Sequence, residues 1–140
     1  MTERMTILDQ IQTDLEDKIK VTRGYNHTPV EVRRGLHKWT DFNDKPVVCF
    51  TVVRDEPDEL SEAGSLARWI YIEFYGLAET DGLGETDVIH EVAQDVQNFL
   101  FSTDFTYTDV TEVGETLLKE GGVSDPINAF SISTRIMYEV

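Results

Sequence analysis

Between Arg68 and Ser102 the hydrophobic pattern changes period once, and the rest of the chain is organised around that change. Arg68 to Ala78 alternates. Ile70, Ile72 and Phe74 share one side, and Trp69, Tyr71, Glu73 and Tyr75 share the other, as the two-residue repeat of a strand requires. β-branched and aromatic residues suit such a surface. From Val88 to about Phe101 the apolar positions become Val88, Ile89, Val92, Ala93, Val96, Phe99 and Leu100, the repeat of an amphipathic helix. His90, Glu91, Gln94, Asp95, Gln97 and Asn98 fall on its polar side. The pairing of patterns predicts that the helix lays its stripe on the Ile70/Ile72/Phe74 face. It leaves a sheet face of Trp and Tyr to be explained.

The flanking segments follow the same logic. Leu8, Ile11, Leu15 and Ile19 recur at helical spacing and predict a first helix ending near Lys20, with Thr6 and Asp9 at capping-box spacing. Gly24 to Pro29 has turn chemistry, and strands are expected at about Val30–Lys38, Val47–Arg54, Phe105–Val113 and Ile127–Val140. Gly35 marks a bulge or a close backbone approach in the first of these. Thr116–Lys119 reads as a short helical turn. Adjacent strands with no helix between them favour antiparallel pairing. The expectation is one α+β domain over residues 1–140, in the order α-β-β-β-α-β-β. It is a two-layer fold, with a mainly antiparallel sheet of about five strands and both helices on one face.

Composition narrows the function. A chain of 140 residues with a net charge of −15 repels nucleic acid, because duplex binding works by neutralising phosphates. The lone Cys49 lies in an apolar strand and has no partner for an intramolecular disulfide, which favours a buried thiol and a reducing compartment. No signal sequence follows Met1 and no run reaches membrane-spanning length, so a cytosolic, soluble protein is expected.

Candidate chemistry is sparse. His90-Glu91-Val-Ala-Gln94 resembles a zinc-protease helix, but Gln94 stands where the second histidine belongs. Glu79–Asp87 fails as a calcium loop in either alignment: Gly84 at the sixth position puts His90 at the twelfth, and Gly82 there puts Leu77 at the first. It reads instead as a turn in which Thr86 or Asp87 caps the helix. The acids Asp55, Glu56, Asp58, Glu59 and Glu62 read as a solvated loop. No catalytic, cofactor or metal site is expected. Trp39, Phe42, Trp69, Tyr71 and Tyr75 are the candidates for a subunit interface, since Trp and Tyr combine apolar area with a polar tip.

The chain resembles the tail terminator, or tail-completion, proteins of tailed bacteriophages. The resemblance rests on size, on the element order, and on the Ile7–Ile11 helix, the Arg23–His27 turn, the Trp69–Gly76 strand with its acidic turn and helix, and the terminal strand Phe130–Tyr138. It implies a non-enzymatic virion protein, made in the host cytoplasm. Such subunits form a homo-oligomeric ring, commonly a hexamer, on the tail tube protein, meet the head connector or neck protein, and let DNA pass through the lumen. No sequence-specific nucleic-acid contact and no membrane are implied. A neck or baseplate component of similar topology, and a small cytosolic enzyme, are the competing readings.

Overall fold

The computed structural model describes residues 3–38, 41–42, 46–58, 67–79, 87–121 and 127–139. The elements are α1 (Glu3–Lys18), β1 (Glu31–Arg34), β2 (Val47–Pro57), β3 (Ala67–Glu79), α2 (Asp87–Leu100), β4 (Val110–Glu112), β5 (Leu117–Lys119) and β6 (Ile127–Glu139). The fold is α+β: one mixed, six-stranded sheet in the order β1-β2-β3-β6-β4, with β5 also on β6, and two helices on one face.

The helix-facing layer is where alternation placed it. Ile70, Ile72 and Phe74 are at most 1% exposed and form one core with Val92, Val96 and Leu100 of α2 and Ile11 and Leu15 of α1, with Leu8 packed alongside. On β6 the register brings Ile136, Thr134, Ile132 and Phe130 opposite Ile70, Ile72, Phe74 and Gly76. α1 begins at Glu3, so Thr6 lies inside the helix and is not its cap. Glu3 in the first turn and Lys18 in the last complement the helix dipole. Residues 80–86 of the acidic turn, with the cap candidate Thr86, fall outside the described residues; Asp87, the other cap candidate, opens α2.

Four expectations are corrected. β1 is only Glu31–Arg34, because Gly35 takes a left-handed φ of 97° and turns the chain out of the strand. β1 also runs parallel to β2. Parallel neighbours need a crossover and not a hairpin. On the connecting stretch Phe42 packs on Val47 and Cys49, on the face opposite α1 and α2. The strand expected over Phe105–Val113 shrinks to Val110–Glu112, because near its start a side chain takes the Thr106 amide out of any ladder. The Thr106 N–H donates to Asp14 Oδ2 at 2.8 Å, and Phe105 turns into the core, its ring 5.1 Å from that of Phe99. The helical turn expected at Thr116–Lys119 is strand β5, antiparallel to β6.

β2 is irregular at one place. Val52 pairs with Ile72 and Arg54 with Tyr71, which leaves Val53 as an extra, exposed residue. Such a bulge shifts which side chains face the core. Beyond it Asp55 falls on the helix side, while Arg54 and Glu56 fall on the open side.

Candidate interaction surface

The sheet face away from the helices carries the aromatic side of β3. Register sets it out in rows: Cys49, Tyr75 and Ser131; Thr51, Glu73 and Ser133; Arg54, Tyr71 and Arg135; Glu56, Trp69 and Met137. Each guanidinium in these rows lies on a ring. Arg54 sits 4.0 Å from the Tyr71 centroid and Arg135 4.0 Å from that of Trp69. Such contacts draw the guanidinium charge onto the negative face of the ring quadrupole. The polar tips are engaged as well. The Tyr71 hydroxyl donates to Glu56 Oε1 at 2.8 Å, Trp69 Nε1–H points to Asp58 Oδ1 at 3.4 Å, and Ser131 Oγ donates to Glu73 at 2.7 Å. Between them lies a concavity of about 500 Å³, lined by Glu56, Asp58, Trp69, Tyr71, Arg135 and Met137.

The five aromatic candidates therefore have different fates. Trp69 and Tyr71 are half-buried on this surface, each with a guanidinium over one face of its ring. Tyr75 is committed to the chain: its hydroxyl donates to the Gly35 carbonyl and accepts from His37 N–H at 2.8 Å, which pins the β1–β2 crossover. Burial pushes its phenol pKa upward. Phe42 is 4% exposed, with Arg33 over its ring at 5.5 Å and His37 at its edge, so it has no free area to offer a neighbour. Trp39 lies outside the described residues.

The acidic segment is also not what charge alone suggested. Asp55 and Glu56 belong to β2, and the Asp55 side chain is only 7% exposed. It accepts from Arg4 Nε at 3.0 Å, from Arg68 Nε at 2.8 Å and from the Tyr138 hydroxyl, tying α1 to the end of the sheet. Asp58 closes against Ala67 through a backbone bond of 3.1 Å. Glu59 and Glu62 lie outside the described residues.

Sequence reasoning missed two further carboxylates. Asp95, placed on the polar side of its helix, is 2% exposed and accepts from Asn26 N–H at 2.9 Å, Asn26 Nδ2 at 3.1 Å and His27 N–H at 2.9 Å. Asp14 is 4% exposed and holds Gln10 and Thr106. Both clamp loops to helices. The signal that could have found Asp95 is the pair of turn amides at Asn26–His27, which need an acceptor when buried.

His90 is bonded to Glu120. Among the described residues no three His, Cys, Asp or Glu side chains converge as metal ligands do, and no helix is long and apolar enough to cross a membrane. Neither a protein-family model nor a curated protein matches the chain.

Proposed function

We propose that this chain is a structural subunit of a tailed-bacteriophage virion. In this reading it forms a ring, commonly of six copies, that caps the tail tube, ends tube growth and presents a surface to the head connector. The observation that carries the reading is the inequality of the two sheet faces. One face is sealed by helices, while the other displays Trp69 and Tyr71 with guanidinium stacks and polar tips. A surface of that composition is suited to contact with protein, where aromatic residues and Arg are enriched. A net charge of −15 suits a ring through which DNA must slide without being held by counterion release. The chain's resemblance to tail terminators in element order and strand texture supplies the rest. A neck or baseplate component would use the same surface for a different joint, and a small enzyme would need a reactive constellation in the same concavity.

Sedimentation and electron microscopy of the purified protein, across salt concentrations and with isolated tail tubes, test this. Like-charged subunits repel, so assembly should strengthen with salt. Rings on tube ends are expected, with Trp69→Ala weakening them. A protein that stays monomeric with and without tubes, from a phage whose tails join heads in its absence, overturns the reading.

A further inference from the structure

Resting on the assembly proposed above, we infer that Arg135 is the charged anchor of the open sheet face and takes a carboxylate of a neighbouring copy. The other arginines are paired inside the chain. Arg4 and Arg68 pair with Asp55, Arg23 with Asp104, Arg33 with Glu31, Arg34 with Asp9 and Arg54 with Glu56. Arg135 differs. Among the described residues no carboxylate lies within ion-pair distance of it and no side-chain hydrogen bond engages it; its guanidinium rests on the Trp69 ring, 4.0 Å from the centroid. In a chain with 27 acids against 12 Lys and Arg, an arginine without a carboxylate partner points to one supplied from outside. The stack holds the flat face of the group, while its N–H donors lie in the guanidinium plane, as bidentate pairing with a carboxylate requires.

The surroundings choose the occupant. Arg135 is half-buried on β6 and lines the concavity of about 500 Å³ with Trp69, Tyr71 and Met137. Trp, Tyr and Arg are the residues on which protein–protein contacts most depend. The two acids of the concavity are already engaged. Glu56 accepts from the Tyr71 hydroxyl and pairs with Arg54 at 3.7 Å, and Asp58 faces Trp69 Nε1. Against Arg54 and Arg135 they make two charges of each sign, so at this patch the chain's excess of −15 is locally cancelled. A like-charged copy meets the least repulsion there and finds one cation without a partner. Because the acids of the concavity are engaged, the neighbour's carboxylate comes from a different surface. The contact is then head-to-tail, the kind from which rings close.

Sedimentation and electron microscopy of the full-length wild type and of three variants, with and without tail tubes, test this. Arg135→Gln should associate on the order of tenfold more weakly, or worse. Arg135→Lys keeps the charge but loses the planar fork, so it should fall in between, and it carries the test if glutamine lowers the melting temperature. Arg34→Gln removes the same charge from an exposed pair with Asp9 on the helix side, and should associate within about twofold of the wild type. Undiminished association of Arg135→Gln overturns the inference and leaves the ring reading standing. Equal weakening by Arg34→Gln also overturns it, by showing that only net charge matters. Loss of tube binding with self-association intact overturns it too, by giving Arg135 to the tube protein. Arg135-dependent dimers or filaments in place of rings uphold the contact and overturn the ring reading. A wild type that stays monomeric throughout overturns both.

Discussion

Gly76 and Phe130 face each other across the β3–β6 pair on the helix side, and the ring of Phe130 occupies the space where a Gly76 side chain would be. A Cβ built on Gly76 would lie 2.1 Å from Cε1 and 2.7 Å from Cζ of Phe130. Phe130 is 2% exposed, so its ring cannot swing into solvent. Gly76→Ala should therefore cost about 1–3 kcal/mol through overpacking. In a Phe130→Leu background the same change should cost much less, because the two sites share one volume. Urea denaturation of the four proteins in this cycle measures it, and an equal cost in both backgrounds would show that the contact is not the cause.

Phe74 tests the face assignment. It is fully buried between the helices and its ring stacks near that of Phe50, with centroids 6.1 Å apart. Phe74→Ala should destabilise the fold by about 3–5 kcal/mol, the lost burial plus a cavity. A loss below about 1 kcal/mol in the same denaturation assay would contradict the packing described.

How far the chain could be read from its residues depended on the range of the interaction. Ile70, Ile72, Phe74, Val92 and Val96 were legible because periodicity is a local property that burial enforces everywhere along an element. The pleat also places Trp69, Tyr71 and Tyr75 on one face, but not their polar partners. The Tyr75 hydroxyl reaches Gly35, 40 residues away. The parallel β1–β2 pair was illegible because strands that follow one another without a marked helical pattern ordinarily read as antiparallel neighbours. Asp55 read as loop because a run of acids ordinarily stays hydrated; the bulge at Val53 is what turns it inward onto Arg4, Arg68 and Tyr138.

Asp95 carries a prediction of its own. It is the acceptor for two turn amides and one side-chain amide, on a helix about 70 residues downstream in sequence. Asp95→Ala leaves those donors without it and should cost about 1–3 kcal/mol. Hydrogen exchange should then speed up at Asn26 and His27 before it does in β3. Unchanged exchange at these two amides would show that the clamp does not hold the turn.

Cys49 is buried and its thiol pKa is pushed up to about 11, chiefly by burial, so little nucleophilic thiolate exists at neutral pH. A thiol reagent should leave the native protein unmodified and label it stoichiometrically once urea unfolds it. Rapid labelling of the native protein would mean that the Phe42 cover over Cys49 opens readily.

Acid should loosen the molecule at two identifiable clamps. At Asp104 the hydrogen bond from the Tyr25 hydroxyl lowers the carboxyl pKa and Arg23 adds to it, against the opposing effect of burial. At Asp55 burial pushes the pKa up, but Tyr138, Arg68 and Arg4 together outweigh it and the net shift is downward. A carboxyl whose pKa is lower folded than unfolded contributes stability above its unfolded value, about 4. That contribution is lost as pH falls through the folded value. Stability should thus fall on acidification below about pH 4, and the variant Asp55→Asn/Asp104→Asn, less stable at neutral pH, should fall less steeply. On the alkaline side Tyr25, its pKa pushed up to about 12 by burial and then by Asp104, holds its clamp until about pH 10 and loosens above it. Urea denaturation at closely spaced pH values reads both limbs. If the double variant shows the same acid slope as the wild type, the acid sensitivity belongs to other carboxylates, and neither clamp is its source.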